Sequence, residues 1–368
     1  MSNEDKKNIW GARFNSPSTT NVEPTFDSET QTSGYKASFK SGQDKLSLAE
    51  KLLTNGYHPV MLFGTRASGK SSLLASLLHY LESDSESPAI WVQGEWIVST
   101  DTTYGQNAAD ATKNFLTHVL NNFHDGQAAP RTIDEFPFYI PIILRPNNGQ
   151  PEVKFAFLES RGEFYSIDKN SKDLFKDLRD EVSDVYKNFA KPISVLIIGP
   201  YVMGDAYAHE PPTELALNEM KDSDTALLGA LKTYQRTRSY REFDKHLFLL
   251  TKWDAHTRSI SDNEFSNPPR GLVSNLISIK YPKTWTFFQT MQTEEANSMQ
   301  YSAGIMSGTS RVNVPSEFKS VMSKYPIKLW NWLYSNANDG SDLFGYVNAK
   351  SDTGKASSFT GFIKKILT

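Results

Sequence analysis

One run of residues early in the chain constrains its fold more than any other feature. Residues 58–63 have the pattern of an apolar strand, a G-x-x-x-x-G-K-S run follows, and residues 72–78 have a helical pattern. Gly64 and Gly69 permit backbone conformations that other residues avoid, so successive N–H groups can surround an anion at the helix N-terminus. The run therefore predicts a loop that binds the phosphates of a nucleotide.

The side chains of this loop suit the same purpose. Lys70 carries a mobile positive charge that should bridge the β- and γ-phosphates, and we expect it to be exposed when the loop is empty. The Ser71 hydroxyl, on the first helical turn, is placed to ligate Mg²⁺. The residues predicted to contact the nucleotide here are Gly64, Thr65, Arg66, Ala67, Ser68, Gly69, Lys70, Ser71 and Ser72.

A second motif indicates which base is bound. The buried-strand pattern of residues 243–250 runs directly into Thr251-Lys252-Trp253-Asp254. The Asp254 carboxylate can accept from both N1–H and the N2 amine of guanine, whereas adenine has an acceptor at N1 and no amine at C2. The stem of Lys252 would cover one face of the base. A later loop would donate the Ala303 N–H to guanine O6, so the predicted guanine site comprises Thr251, Lys252, Asp254, Ser302, Ala303 and Gly304.

The region between these motifs predicts a β-hairpin. Strand patterns over residues 138–144 and 153–158 are joined by the turn sequence Pro-Asn-Asn-Gly-Gln. Thr132 precedes the first of these strands, and an E-x-x-G run from Glu159 to Gly162 follows the second.

These motifs, in this order, resemble those of the TRAFAC-class, Ras-like P-loop GTPases over residues of about 55–335. The resemblance implies two switch segments. In the first, Thr132 closes on Mg²⁺ and the γ-phosphate; in the second, which includes Glu159 to Gly162, the Gly162 N–H senses the γ-phosphate. It also implies that Glu159 takes the place of the aspartate that usually lies near the metal. The implied Mg²⁺ ligands are therefore Ser71, Thr132 and Glu159.

Finer details look like the bacterial double-GTPase families of conflict (anti-phage) systems. They are the Gly-Glu pair after the second strand, the strand ending Ile-Ile-Gly-Pro at residue 200, the long helix that follows, and a Tyr-Pro-x-x-Trp helix before Tyr-Ser-Ala-Gly. This resemblance implies a component of a bacterial multi-protein defence system.

The chain departs from the Ras-like pattern where water would be activated. Glu163 follows Gly162, where Ras-like enzymes have a glutamine, and a carboxylate near the γ-phosphate is repulsive unless it is neutralised or turned away. Slow or partner-stimulated hydrolysis is therefore expected. An arginine near the phosphates could neutralise charge on the transferring group instead. The candidate catalytic residues are Arg66, Arg131, Thr132, Arg161 and Glu163.

Composition excludes several other classes of protein. The 368 residues carry a formal net charge of −3 with a pI near 6.2, which gives no basic footprint for nucleic acid. There are no cysteines, so disulfides and thiolate metal sites are excluded. The N-terminus lacks the apolar region of a signal peptide and no apolar run is long enough to span a bilayer, so we expect a cytoplasmic protein without stable membrane insertion.

The predicted organisation is one domain with extensions. A polar, disordered leader (residues 1–42) precedes a GTPase domain (43–335), and a linker (336–357) leads to an amphipathic C-terminal helix (358–368). An insertion at about residues 83–130 contains a helix that places Ala111, Phe115, Leu116, Val119 and Leu120 on one face. Phe318 to Leu333 reads as a closing helix broken at Pro326. The insertion, the switches and the C-terminal helix are candidate surfaces for an effector or regulator.

Together these features predict an α/β, three-layer P-loop fold, with a mostly parallel sheet of six-stranded type and helices on both faces. The predicted function is a molecular switch that binds and hydrolyses GTP with Mg²⁺, releasing GDP. The alternative is a GTP-bound scaffold with vestigial hydrolysis, and a more distant one is a P-loop ATPase or kinase.

Overall fold

The computed structural model describes residues 46–84, 87–95, 97, 102–129, 137–159, 180–202, 214–257, 268–269, 271–291, 297–306 and 317–343. The predicted leader and the predicted C-terminal helix lie outside these ranges.

Strands and helices alternate along much of the described chain. The strands are β1 (Tyr57–Gly64), β2 (Ala89–Gln93), β3 (Phe138–Pro146), β4 (Val153–Glu159), β5 (Ser194–Pro200), β6 (Lys245–Thr251), β7 (Ser298–Gln300), β8 (Gly304–Met306) and β9 (Phe318–Val321). The α-helices are α1 (Leu48–Thr54), α2 (Lys70–Ser83), α3 (Thr103–Asn114), α4 (Leu120–His124), α5 (Asp180–Asn188), α6 (Glu214–Thr237), α7 (Asp254–Thr257), α8 (Leu272–Lys280), α9 (Pro282–Thr290) and α10 (Lys324–Ala337).

A seven-stranded sheet organises these elements in the order β2-β3-β4-β1-β5-β6-β7. The neighbours β4, β1, β5, β6 and β7 pair in parallel, whereas β3 runs antiparallel to both β2 and β4. Strands β8 and β9 form a separate two-stranded hairpin. The carboxyl ends of β1, β4, β5 and β6 therefore meet at one edge, where α/β folds bind ligands.

Both faces of the sheet are covered by helices. On one face, the Phe63 ring packs against Tyr186 of α5 and Tyr234 of α6. On the other, Phe155 and Phe157 of β4 contact Trp330 of α10. The central strands are consequently buried on both sides, as the near-continuous apolar runs of their sequences predict. The predicted fold class, a three-layer α/β P-loop fold with a mostly parallel sheet, is confirmed.

The sheet has one strand more than predicted. The additional strand is β2 of the insertion, which pairs antiparallel with β3 from Ala89↔Pro146 to Gln93↔Ile142. Its sequence, Ala-Ile-Trp-Val-Gln, is short and apolar, and such a run has no period that distinguishes a strand from a buried helical segment.

The insertion helix also differs from its predicted periodicity. Residues 115–119 form a π-helix between α3 and α4, so one extra residue enters the turn. Leu120 of the predicted face is buried, and Phe123 is buried as well, whereas Leu116 and Val119 are only partly buried.

The prediction of a closing helix broken at Pro326 is wrong. Residues Phe318–Val321 form strand β9, and α10 begins afterwards at Lys324. Pro326 lies in the first turn of α10, where its missing N–H removes no helical hydrogen bond. The helix continues through Ala337, and Leu343 is fully buried, with its N–H donating to Asn331 Oδ1. The rest of the predicted linker lies outside the described residues.

A buried ion pair secures the sheet edge opposite the strand carboxyl ends. Arg238, directly after α6, donates from Nε and Nη2 to the two oxygens of Asp244 at 2.9 and 3.0 Å, and both side chains have no solvent exposure. Arg238 also donates to the carbonyls of Phe189 and Lys191, and Asp244 accepts from Tyr234 Oη and from the Ile193 N–H. This network fixes the end of α6 against the starts of β5 and β6.

No helix in the described part of the chain is long and apolar enough to cross a membrane.

Replacing Asp244 by Asn should destabilise the domain by about 3–5 kcal/mol, because it leaves the Arg238 charge buried without its counter-charge. Urea denaturation followed by tryptophan fluorescence measures this change. Glu152→Gln is the matched control: its partner Arg145 is exposed, with Nε 2.7 Å from Glu152 Oε2, and such pairs contribute less than about 1 kcal/mol. Equal shifts in the two variants would contradict the structural role of the buried pair.

Candidate functional site

The predicted phosphate loop connects the end of β1 to the first turn of α2. Gly69 has a φ of 89° and Ala67 a φ of 57°, both in the left-handed region, and the Ser68 N–H donates to the Thr65 carbonyl at 3.2 Å. A Cβ added to Gly64 would lie 2.5 Å from Ser68 Oγ and 3.1 Å from Lys70 Cγ. Glycine is therefore required at residue 64 by close packing and favoured at residue 69 by conformation.

Lys70 is buried rather than exposed, so that expectation is wrong. Its side chain is folded into the loop, where Nζ donates to the carbonyls of Gly64 at 2.7 Å and Thr65 at 3.3 Å. A buried ammonium needs acceptors, and the loop carbonyls provide them. The residue thus contributes to the conformation of the loop itself, while exposed Arg66 and Ala67 form its tip.

The structure joins two of the three predicted metal ligands. The Ser71 hydroxyl donates to Glu159 Oε1 at 2.7 Å, and Glu159, the last residue of β4, is fully buried. Hydroxyl and carboxylate oxygens are the hard donors that Mg²⁺ prefers, and Mg²⁺ typically takes one or two carboxylates and completes its shell with phosphate and water. The donor set at this position therefore fits Mg²⁺.

No group of three or more histidine, aspartate or glutamate side chains in the described ranges could hold a metal ion by itself. A metal in this site would need oxygens from a ligand or from water, as is usual for Mg²⁺ bound with a nucleotide.

The predicted base motif is tied to the phosphate loop by a threonine. Thr251, the last residue of β6, donates its hydroxyl to the Ser68 carbonyl at 2.6 Å and is almost fully buried. Lys252 follows with a φ of 54°, an uncommon conformation for a residue with a side chain. This turn directs the chain from the strand into α7, which begins at Asp254.

Asp254 lies beside the predicted Ser302-Ala303-Gly304 loop. The Ser302 hydroxyl approaches Asp254 Oδ1 at 3.1 Å and the Gly304 carbonyl at 2.8 Å. Main-chain bonds hold the two segments together: the Tyr301 N–H donates to the Leu250 carbonyl and the Trp253 N–H donates to the Tyr301 carbonyl. The two parts of the predicted guanine site are thus assembled into one unit.

Two buried tyrosines surround this unit. Burial raises the pKa of Tyr325 well above its ordinary value, and the nearby Asp254 charge raises it further. Burial likewise raises the pKa of Tyr301, which the Ser76 hydroxyl lowers in part through a hydrogen bond. Both phenols are therefore neutral at physiological pH and serve as hydrogen-bonding groups.

The phosphate-loop helix α2 is anchored from the same side. Tyr301 Oη contacts Ser76 Oγ, and Trp330 of α10 donates from Nε1 to the Leu77 carbonyl at 2.8 Å. These contacts hold α2 against both the Ser302-Ala303-Gly304 loop (the base loop) and helix α10.

A contact that the sequence does not predict joins the insertion to the base loop. Phe318 lies between them: its N–H donates to the Gly126 carbonyl at 2.6 Å, and its ring lies 5.3 Å from that of Phe123. A Cβ on Gly304 would be 2.7 Å from Phe318 Cδ1 and 2.6 Å from the Ser320 carbonyl oxygen. The His-Asp-Gly-Gln sequence at residues 124–127 signals a turn, but nothing in it indicates this partner.

The end of the insertion also reaches the phosphate-loop helix. The Ala129 N–H donates to Ser72 Oγ at 3.3 Å. Residues 126–129 therefore lie between the base loop and α2, immediately before the segment that carries Arg131 and Thr132.

Five predicted site residues lie outside the described residues: Arg131, Thr132, Arg161, Gly162 and Glu163. Their predicted roles stay predictions.

Comparisons with known proteins were made by sequence and by structure. No protein-family model and no curated protein matches the sequence. Among solved structures, the chain is similar to the S. cerevisiae Ski7 GTPase-like domain bound to GDP and inorganic phosphate, with 12% identity and a TM-score of 0.34. That match covers 78% of this chain and 52% of the other, so the chain spans about half the length of the Ski7 structure.

Two further structures are similar to a comparable degree. The SRb-GTP/SRX complex of the signal recognition particle receptor from Chaetomium thermophilum has 13% identity and a TM-score of 0.36, with coverage of 68% of this chain and 92% of that one. The chloroplast translocon components atToc33 and psToc159, described for dimerization and GTPase activity, match with 12% identity and a TM-score of 0.35, covering 80% and 89%. At these scores the similarities carry no argument about the activity of this chain.

Gly304→Ala should displace the β8–β9 hairpin, because the added Cβ meets a backbone oxygen that cannot rotate away. Overpacking of this kind costs about 1–3 kcal/mol. Thermal unfolding and nucleotide affinity are the measurements, and both should fall. Ile305→Ala, a partly exposed neighbour on the same strand, is the control and should change little. An unchanged Gly304→Ala protein would show that the hairpin is not held at this distance.

Proposed function

We propose that this protein binds GTP with Mg²⁺ and hydrolyses it, and that the nucleotide acts as a switch. The observation that carries the proposal is a group of three side-chain hydrogen bonds. Glu159 accepts from Ser71, Thr251 binds the loop carbonyl of Ser68, and Asp254 contacts Ser302. These bonds lie at the carboxyl edge of a parallel sheet, and they support a site in which the loop would bind phosphate, Ser71 and Glu159 the metal, and Asp254 the guanine.

The phosphate end of the site is built from positive partial and full charges. Loop N–H groups and the N-terminus of α2 favour anions, and Lys70 adds a full charge. Lys70 is bonded to two loop carbonyls, so phosphate would compete with these acceptors for the ammonium. A charged phosphate oxygen is the stronger partner, because a hydrogen bond between two ions is stronger than one from an ion to a neutral carbonyl.

Ser71 and Glu159 would hold the metal in this proposal. Bound Mg²⁺ would neutralise part of the negative charge on the phosphates. The Ser71 proton now donated to Glu159 would turn away, leaving the hydroxyl oxygen to act as a ligand. Because Glu159 is one methylene longer than the aspartate usual in Ras-like enzymes, direct coordination is possible here.

The base end of the site accounts for guanine selectivity. Asp254 is nearly buried, and the Ser302 hydroxyl is oriented towards one of its oxygens. A carboxylate held in this way presents acceptors to N1–H and the N2 amine of guanine. Adenine would instead bring its N1 acceptor against a negative oxygen, which is repulsive.

Catalysis in this proposal depends on an arginine rather than a glutamine. Arg66 lies exposed at the tip of the phosphate loop, and Arg131 and Arg161 belong to the two predicted switches. A guanidinium can neutralise charge on the transferring phosphoryl group, for which Glu163 is unsuited.

At the finest level we propose a nucleotide-dependent role in a bacterial defence assembly, with partner proteins that recognise the switches and the adjoining insertion, in the cytoplasm. The support is the resemblance of sequence details given above. The position of residues 126–129 between the base loop and α2 supports the insertion as the part that responds to nucleotide.

One observation favours a second candidate, a GTP-bound scaffold with vestigial hydrolysis. Glu159 replaces the usual aspartate and is already bonded to Ser71, so the metal could bind weakly. Single-turnover hydrolysis with GTP and with ATP separates the candidates: a switch hydrolyses GTP, a scaffold binds it without turnover, and an ATPase or kinase prefers ATP.

Asp254→Asn should transfer nucleotide preference from guanine to xanthine, because the amide can donate to the xanthine C2 carbonyl but no longer accepts two guanine protons. A loss of about 100-fold in GTP affinity, with a gain for XTP, is expected for a lost bidentate contact to a charged group. Titration with fluorescent nucleotides measures both affinities. Asp222→Asn, an exposed position on α6, is the control. Unchanged GTP affinity in Asp254→Asn would refute the base assignment.

Changing Arg66, Arg131 and Arg161 singly to Ala should reveal one variant whose single-turnover rate falls by about tenfold or more while GTP affinity is kept. This separation is the signature of an interaction made mainly in the transition state. Arg145→Ala, on β3 and exposed, is the control. Normal rates in all three variants would assign the stabilising charge to a partner protein.

A further inference from the structure

The long helix α6 contacts the phosphate loop through Ser223, a residue outside the nucleotide motifs. Ser223 Oγ lies 2.7 Å from Thr65 Oγ1, and both residues are buried. Thr65 follows the first glycine of the loop, at a position the G-x-x-x-x-G-K-S pattern leaves open.

The buried phenol of Tyr281 lies next to Ser223. Tyr281 donates its phenol proton to the Pro200 carbonyl at 2.7 Å, because a carbonyl can only accept. Burial raises the pKa of Tyr281 well above its ordinary value, and a hydrogen bond from Ser223 lowers it in part. Either hydroxyl of the Thr65–Ser223 pair can be the donor, and the hydrogen bond joins the two residues in both cases.

Thr65 is central to the conformation of the loop. Its carbonyl accepts from the Ser68 N–H at 3.2 Å and from Lys70 Nζ at 3.3 Å. A rotation of Thr65 would therefore disturb both the turn and the lysine. Its hydroxyl, held by Ser223, opposes such a rotation.

Ser223 is itself fixed in place by the next residue of α6. The Asp224 carboxylate accepts from the N–H groups of Thr284 at 2.9 Å and Lys283 at 3.1 Å, and so caps the first turn of α9. The Thr284 hydroxyl returns a bond to the Asp224 carbonyl at 2.8 Å. Helix α6 is consequently locked to α9 at the level of the phosphate loop.

We propose that Ser223 is a positioning residue for the phosphate loop, acting through Thr65 to keep the loop carbonyl that holds Lys70 and Ser68 in its binding orientation. This inference rests on the proposed nucleotide binding for its functional consequence, while the effect on the loop itself does not depend on any ligand. Helix α6 thereby becomes part of the nucleotide site without contacting the nucleotide.

A double-mutant cycle tests the proposal. Ser223→Ala and Thr65→Val each remove one hydroxyl of the pair, and each should weaken binding of a non-hydrolysable GTP analogue about tenfold. Because both remove the same bond, the double variant should bind no more weakly than the poorer single variant. Thr65→Ser keeps the hydroxyl and should recover most of the affinity that Thr65→Val loses.

Thr233→Val is the matched control on the same helix, since its hydroxyl bonds within the helix to the Gly229 carbonyl at 3.0 Å. It should leave affinity unchanged. Additive losses in the cycle, or an equal loss in Thr233→Val, would show that Ser223 acts only through general stability and would overturn the proposal.

Hydrogen exchange of the Ser68 amide, in protein without nucleotide, is the second measurement. Exchange should accelerate about tenfold or more in Ser223→Ala, while amides of the central strands keep their rates. An unchanged Ser68 amide would overturn the inference. If the unaltered protein binds no guanine nucleotide, the proposed function fails, and this amide still decides the role of Ser223.

Discussion

The hydrogen bond from the Thr251 hydroxyl to the Ser68 carbonyl is the contact on which the geometry of the candidate site depends. It joins the end of β6 to the loop after β1, across the intervening strand β5. Because these strands are parallel, their carboxyl ends lie at one edge, and a single short side chain can set the distance between the phosphate and base parts. The Thr65–Ser223 pair holds the loop on its other side, so two distant segments determine its shape.

Buried charges at the two edges of the sheet serve different ends. Arg238 and Asp244 form a bidentate ion pair, and further hydrogen bonds to both side chains tie neighbouring elements together. At the opposite edge Lys70 is bonded to loop carbonyls, Glu159 to a serine hydroxyl and Asp254 to another. In the proposed function, phosphates, a cation and a base would supply further partners for these three charges.

The insertion is integrated into the domain at two levels. Its strand β2 extends the sheet beyond β3, and its last residues bond to Phe318 and Ser72. Phe318 packs closely against Gly304 of the base loop, so a displacement of that loop would also displace Phe318 and the insertion residues bonded to it. Dense packing transmits such displacements because the contacts leave no room to absorb them.

The sequence by itself determined the fold class, the strand-loop-helix at Gly64–Ser71, the hairpin of β3 and β4, and the strand ending at Thr251. Each of these rests on a local period or on glycine and turn chemistry, which act over a few residues. Only the tertiary structure decided that β2 would join the sheet, that a π-turn would redirect the insertion helix, and that residues 318–321 would form a strand. It also decided that Lys70 is buried and that Ser223 and Phe318 contact the site. Those outcomes depend on which distant surfaces meet in the folded chain. A contact such as that between residues 65 and 223 produces no periodic pattern in the sequence, so the sequence alone does not reveal it.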